Sequence, residues 1–172
     1  MLHTRTFWAA FLIGALMAGG CFAQAQKAPK EEQKFYRLDF VVKEIGNSKV
    51  VNGRSYSTMI STGGSPFPGE IRTGNKVPYN SDKGVQYLDV GVNFDCQSAR
   101  EVENELGLHV VAEVSNLAPG QTPASGSLPL LRQNKWSSDV IVPLRKPTVI
   151  FSSDDPTSTH KMQVELTATP IR

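Results

Sequence analysis

The chain has 172 residues, in which 18 lysines and arginines face 16 aspartates and glutamates, and it contains two cysteines. A net charge of +2 over this length excludes the strongly basic surface typical of nucleic-acid-binding proteins. Two cysteines cannot form the disulfide network that stabilises many small exported domains, so the fold must depend on burial and strand pairing.

The amino terminus has the three parts of a secretory signal peptide. Arg5 lies in a short basic stretch, an apolar run extends from Phe7 to Ala18, and Ala23-Gln24-Ala25 provides the small residues that a signal peptidase needs. The apolar run is shorter than the roughly 20 residues that span a bilayer as a helix. Residues 1–25 are therefore predicted to be a cleaved leader that sends the protein to the periplasm or the outer membrane.

Cys21 offers an alternative cleavage site, because lipoprotein signals are cut just before a cysteine that then carries the lipid. Such signals usually have a larger aliphatic residue three positions upstream, where this chain has Ala18. Cleavage after Ala25 is the preferred prediction, and lipid attachment at Cys21 is the less favoured one.

The segment from Gln26 to Gln33 consists of Lys, Glu, Gln and Ala around Pro29. Such a composition cannot bury apolar surface, so it predicts a flexible tether. The remaining residues, 34–172, are enough for one hydrophobic core and too few for two, which predicts a single domain.

The domain begins with two alternating runs. Apolar residues occupy every second position from Tyr36 to Val42, Gly46-Asn47-Ser48 is a turn signal, and alternation resumes from Val50 to Ser61. This pattern predicts an antiparallel hairpin of half-buried strands. A cluster of turn formers from Gly63 to Gly69 then ends the second strand.

The middle of the chain predicts a second set of strands. A short run from Glu70 to Tyr79 is followed by a turn at Asn80 to Gly84. The next two runs are long and alternate clearly, from Val85 to Cys96 and from Leu106 to Leu117, with at most one helical turn near Ser98 to Leu106 between them.

A segment rich in proline, glycine and serine, Ala118 to Ser127, predicts an exposed loop. Pro143 and Pro147 indicate a break later in the chain, because proline cannot donate a hydrogen bond to a central ladder. The runs around these breaks predict three more strands: Leu130 to Val142, Thr148 to Ser152 and Lys161 to Thr169. About eight strands indicate an all-β domain built as an antiparallel sheet, a sandwich or a partial barrel.

The candidates for chemistry are few. His109 and His160 are the only histidines after the leader, and they lack the spacing of a metal site. Asp154-Asp155 stands between serines and a proline, which is typical of a turn rather than of an acid–base pair. No catalytic, cofactor-binding or metal-binding residue is assigned, and no cofactor is expected.

Three further features have structural interpretations. Gly63-Gly64 and Gly74 precede no helix that could bind phosphate, so they are predicted to be turn glycines. Cys96 falls on the apolar face of its strand and is predicted to be a buried, inert thiol. The aromatic residues Tyr87, Trp136 and Phe151 could form a recognition strip, but packing in the core or on a sheet face is preferred.

The order of several motifs from Ile71 onward resembles the carboxy-terminal core of the secretins, the ring-forming outer-membrane channel proteins of type II and type III secretion and of type IV pili. The similar segments are the following, in chain order: Ile71 to Tyr79, which contains a Gly and a Val-Pro-Tyr step; Val85 to Val92, with its Tyr-x-x-Val-Gly pattern; Glu113-Val114-Ser115; Pro129 with Arg132; and Glu165 to Ile171.

The chain departs from the secretin pattern at two places. Arg145 to Ser153 has no glycine where secretins have a glycine-rich gate strand, and only Asp154 to Lys161 stands where they have a glycine- and proline-rich segment leading to a membrane-facing hairpin. The ring-stacking periplasmic domains of secretins have no counterpart before Ile71. The resemblance therefore implies a secretin-like β fold and leaves channel activity open.

These observations predict a non-enzymatic cell-envelope protein with a structural or assembly role in protein secretion or outer-membrane machinery. Its expected partners are proteins, either further copies of itself or secretion-system components, with outer-membrane association possible. The alternative is a secreted or periplasmic β-sandwich module that binds a protein or small ligand through the Ala118 to Ser127 loop and neighbouring turns.

Overall fold

The computed structural model describes residues 32–63, 67–117, 130–156 and 158–171, in which all regular secondary structure is β-strand. The leader, Cys21, Gly64, the tether up to residue 31, Pro129 and the Ala118 to Ser127 loop lie outside these residues, so the expectations for them stay predictions. The all-β class and the eight strands are confirmed: β1 (Lys34–Gly46), β2 (Lys49–Thr62), β3 (Gly69–Ser81), β4 (Gly84–Val102), β5 (Glu105–Leu117), β6 (Leu131–Pro143), β7 (Thr148–Asp154) and β8 (Lys161–Ile171).

The strands form two four-stranded antiparallel sheets, which makes the fold a β-sandwich. Sheet A has the order β2-β1-β8-β7, and sheet B has the order β3-β4-β5-β6. The sheets lie face to face, with β2 against β3 and β4 at one flank and β6 against β7 and β8 at the other. Each flank therefore presents two stacked edge strands.

The alternation read from the sequence places the apolar side chains between the sheets. Tyr36, Leu38 and Phe40 of β1 are fully buried, as are Phe94 and Cys96 of β4. Phe40 stacks on Phe94 across the sheet interface with ring centroids 4.3 Å apart. The alternating apolar residues therefore form a core, because each sheet turns its apolar face toward the other.

The aromatic residues continue this layer toward β6 and β7. Trp136 meets Phe94 edge to face at 6.1 Å and stacks on Phe151 at 4.0 Å. Contacts of this kind add to the stabilisation that burial alone gives. The packing interpretation is confirmed for Trp136 and Phe151, whereas Tyr87 is 63% exposed and lies far along β4 from this layer.

The predicted β1–β2 hairpin is confirmed, with Asn47 and Ser48 both at positive φ. These dihedral angles are typical of the two-residue turns whose twist matches that of a hairpin. The turn between β3 and β4 lies at Asp82-Lys83, followed by Gly84 at φ 98°. Pro143 ends β6 and Pro147 precedes β7, as the break in the alternating pattern indicates.

The sequence allows at most one helical turn near Ser98 to Leu106, and the structure has none in this segment. The segment continues β4 to Val102, turns at Glu103-Asn104 and starts β5 at Glu105. The ladder between β4 and β5 shifts register between Gln97 and Arg100, and Ser98 has φ 54°. A bulge of this kind interrupts the alternation of side chains, which is why the segment does not read as strand in the sequence.

The prediction that Gly74 is a turn glycine is wrong, because Gly74 lies within β3 opposite Gly91 of β4. The two backbones approach so closely that a Cβ atom on Gly91 would lie 2.1 Å from the carbonyl oxygen of Thr73. A side chain cannot occupy that space, so glycine is required here for close backbone approach. Gly63 has φ 67°, which suits the turn predicted for it.

Candidate functional site

The two ends of the sandwich differ. At the closed end, which includes the start of β1 and the β4–β5 turn, the sheets are tightly packed and Leu106, Val142 and Ala168 are completely buried. At the open end, which includes the end of β1 and the start of β6, the sheets enclose a cavity of about 710 Å³. Ligand sites in proteins commonly have volumes of this size.

The inner face of each sheet changes from apolar to polar toward the open end. On β1, Val42 is followed by Glu44, and on β2, Tyr56 is followed outward by Arg54 and Asn52. Sheet B changes in the same way, with Asn75 on β3 and Asn116 on β5 beyond the valines of the core. The cavity therefore has an apolar floor and a polar mouth.

An ion pair and a histidine–carboxylate contact line the part of the mouth near β6 and the β7–β8 connection. Arg132 lies 2.7 Å from a carboxylate oxygen of Asp155, and His160 Nδ1 lies 2.7 Å from Glu44 Oε1. The Asp155 side chain is only 14% exposed, and it also accepts a hydrogen bond from the Ser158 hydroxyl at 2.8 Å. Both contacts attach the connection between β7 and β8 to another strand, β6 through Arg132 and β1 through Glu44.

Asp154 and Asp155 have different surroundings and different partners. Asp154 ends β7 with its carboxylate 83% exposed, whereas Asp155 lies in the following turn, where its N–H donates to the carbonyl oxygen of His160. The turn interpretation is confirmed for Asp155. Asp154 instead belongs to a strand and pairs with Lys161 at 3.6 Å.

A hairpin arm extends past the open end. The ladder between β4 and β5 ends at Val92–Val114, whereas β3 and β4 remain paired from Gly74–Gly91 to Ser81–Gly84. The Ser115 hydroxyl marks this boundary, because it accepts a hydrogen bond from the Gly91 N–H at 2.9 Å and lies 3.3 Å from the Gly91 carbonyl oxygen. We call residues 75–90 the arm. Its outer face exposes Val85 and Tyr87.

Sheet B carries a serine, a histidine and an aspartate in contact on its outer face, which the sequence analysis missed. His109 Nδ1 lies 2.8 Å from Asp139 Oδ1, and the Ser137 hydroxyl lies 3.1 Å from His109 Nε2. Ser137 and Asp139 share a face of β6 because they are two residues apart, but only the β5–β6 register brings His109 between them.

This order of contacts is the one found in hydrolytic triads. Such chemistry also needs a site from which water is excluded and donors preorganised for the developing oxyanion. Here the Asp139 side chain is 90% exposed and the cluster lies on the outer face, away from the cavity. We assign the cluster to the polar surface of sheet B and give it no catalytic role.

Cys96 lies in the core between the sheets and is completely buried. Burial raises the pKa of its thiol to about 12, with a smaller effect from the neighbouring Asp95 carboxylate. The reactive thiolate is therefore scarcely formed near neutral pH. The prediction of a buried thiol is confirmed.

A polar cluster at the closed end connects β1 to β4. Glu101 accepts hydrogen bonds from Lys34, at 2.6 Å, and from the hydroxyl of the buried Tyr36. These bonds from Lys34 and Tyr36 hold the pKa of Glu101 below its usual range, against the opposing effect of burial. Burial and the contact with Glu101 raise the pKa of Tyr36. The β4–β5 turn is thereby attached to sheet A.

In residues 32–63, 67–117, 130–156 and 158–171 there is no group of three metal-ligating side chains positioned to bind an ion. Over the same part of the chain, the structure contains no helix with the length and apolar character needed to cross a membrane.

The fold is similar to that of secretins. The type II secretin GspD from enteropathogenic Escherichia coli aligns with 82% of this chain and 70% of its own, with a TM-score of 0.50 and 10% identity. The secretin domain of InvG from the Salmonella SPI-1 injectisome aligns with 81% of this chain and 62% of its own, at 9% identity and a TM-score of 0.45.

A third secretin structure is the outer-membrane complex of the Klebsiella pneumoniae type II secretion system, which contains PulD, PulS and the PulC HR domain. It matches 81% of this chain over 39% of the secretin chain, with a TM-score of 0.44 and 11% identity. No protein-family model matches the sequence, and no curated protein is detectably similar to it. At these identities the shared feature is the secretin-like fold.

Proposed function

We propose that this chain is a non-enzymatic structural component of the cell envelope, which assembles with further copies of itself in protein-secretion or outer-membrane machinery. The secretin-like fold supports this role, as does the predicted export signal. The observation that carries the proposal is the arrangement of the edge strands.

Edge strands expose backbone donors and acceptors that can pair with another chain. Within the described residues, the edge strands are β2 and β7 in sheet A and β3 and β6 in sheet B. Three of these have 13 or 14 residues, long compared with the five or six residues of an ordinary strand. The long edges favour pairing with a partner.

The directions of the edges permit repeated assembly. Because each sheet has four antiparallel strands, its two edge strands run in opposite directions. A second copy in the same orientation could therefore place β2 beside β7 of the first copy in antiparallel pairing, and β3 beside β6 in the same way. Such a head-to-tail interface forms a ring when its rotation closes.

Native mass spectrometry of the full-length chain purified from cell envelopes, with and without detergent, tests this assembly. We expect a closed oligomer with a defined copy number. A protein that is strictly monomeric under both conditions would overturn the proposal.

Cysteine cross-linking identifies the interface. Ser152→Cys on β7 is combined with Ser55→Cys or Ser57→Cys on β2, since opposed residues of neighbouring strands come close enough for a disulfide. The double variants should give a ladder of cross-linked species under oxidising conditions, and each single variant, the matched control, should not. Dimers from Ser152→Cys alone would indicate two β7 strands in contact and contradict the head-to-tail arrangement.

A further inference from the structure

Within the described residues, some polar groups at the mouth of the open-end cavity are paired and others are not. His160, Arg132 and Lys161 each face a carboxylate, namely Glu44, Asp155 and Asp154, and Lys43 pairs with Glu165 on the outer face of sheet A. Arg54 is the exception, since it makes no ion pair with any residue that the structure describes. Among the charged side chains of the lining, and within the described residues, Arg54 alone is without an ion pair.

Five carboxamide residues line the cavity with Arg54, and two of them, Gln133 and Asn134, already donate hydrogen bonds to Glu113 and Met162. Asn52 lies two residues from it on the same face of β2, and Asn75 and Asn116 extend the lining onto sheet B. Within the described parts of the chain, none of these three side chains has a hydrogen-bond partner. Each carboxamide can both donate and accept hydrogen bonds, so together they suit a ligand with amide groups.

The floor below these groups is apolar. Val42, Val92 and Val114 line it, with Tyr56 on the β2 side and Met162 on the β8 side. A pocket with an apolar base and a few polar groups at its mouth is the usual form of a small-ligand site. The aliphatic part of a ligand would contact the valines, leaving its polar groups at the mouth.

We propose that this cavity binds a short extended peptide that carries a carboxylate, with Arg54 as the group that recognises the carboxylate. A guanidinium binds a carboxylate through two parallel hydrogen bonds, which gives both geometry and energy. The carboxamides of Asn52, Asn75 and Asn116 bind the peptide groups on either side. An acidic segment of a protein partner would provide a ligand of this kind.

This inference does not depend on the assembly proposed above, because the cavity lies between the two sheets of one copy. The outcomes can therefore be separated. A monomer that binds the peptide would overturn the assembly and support the site, whereas a ring that does not bind it would do the reverse.

The test uses two tripeptides, acetyl-Ala-Glu-Ala-amide and acetyl-Ala-Gln-Ala-amide, added to the full-length protein. Binding is followed by NMR shifts of the backbone amides of Arg54, Asn75 and Asn116. The glutamate peptide should bind with a Kd of about 1 mM or tighter, and about tenfold more tightly than the glutamine peptide, since hydrogen bonds to charged groups are the stronger kind.

Arg54→Gln should remove the preference for the glutamate peptide while leaving the NMR spectrum of the core unchanged. The matched control is Arg37→Gln on the outer face of β1, where Arg37 pairs with Asp39 at 2.9 Å, and it should keep the preference. Absence of shifts with either peptide, or an unchanged preference in Arg54→Gln, would overturn the proposal.

Discussion

The closed and open ends of the sandwich are built from the same eight strands but are stabilised differently. At the closed end the inner faces are apolar and their side chains are completely buried, as Leu106 and Cys96 illustrate. At the open end the same strands carry Glu44, Arg54 and Asn116 inward around a cavity. The comparison indicates that the closed end contributes most of the stability of the domain, whereas the open end has a cavity with polar side chains at its mouth.

The largest expected difference comes from matched leucine substitutions. Leu106→Ala at the closed end should lower the free energy of unfolding by about 2–5 kcal/mol, because it leaves a cavity in a fully buried site. Leu88→Ala on the arm removes a partly exposed side chain outside the core cluster, and should cost less than about 1 kcal/mol. Urea denaturation of both variants measures the two losses in the free energy of unfolding. Equal losses would contradict the assignment of stability to the closed end.

A smaller effect is expected where the arm leaves the sandwich. Gly91→Ala would place a Cβ atom 2.1 Å from the Thr73 carbonyl oxygen, so the two strands must separate at a cost of about 1–3 kcal/mol. Gly53→Ala in the β1–β2 hairpin is the control, since a Cβ atom there would meet only one side-chain atom, 4.0 Å away. Hydrogen exchange of the arm amides should increase in Gly91→Ala alone. Unchanged exchange would show that the paired glycines do not hold the arm.

The smallest effect concerns the polar cluster at the closed end. The pKa of Glu101 is lowered by its contacts with Lys34 and Tyr36. A carboxyl group whose pKa is lower in the folded state stabilises the fold at pH values above its ordinary pKa. This stabilisation is lost as the pH falls through the pKa that the group has in the folded state. Glu101→Gln should therefore reduce stability at pH 7 by about 1 kcal/mol and by less at pH 3.

Unfolding free energies measured from pH 3 to pH 7 test this difference. The control is Glu103→Gln, which alters an exposed residue in the adjacent turn. Parallel pH profiles for the wild type and Glu101→Gln would mean that Glu101 does not couple the β4–β5 turn to sheet A.

The sequence by itself determined the strands and their buried faces, because side chains on a strand alternate with a period of two whatever its neighbours. Phe94 and Cys96, for example, fall on the apolar face in both the pattern and the structure. The sequence pattern did not indicate a strand at Ser98, because a bulge there interrupts the alternation of side chains. It also did not identify the role of Gly74, where the close approach of two backbones, and not a turn, requires glycine.

Only the tertiary structure decided which strands stack and what lies between them. The cavity combines Arg54 and Asn52 of sheet A with Asn75 and Asn116 of sheet B, which are separated by long stretches of chain. Nothing local predicts that proximity, because it depends on how the two sheets pack. Arg54 could be distinguished only after the structure had shown which other charges of the described cavity lining are paired.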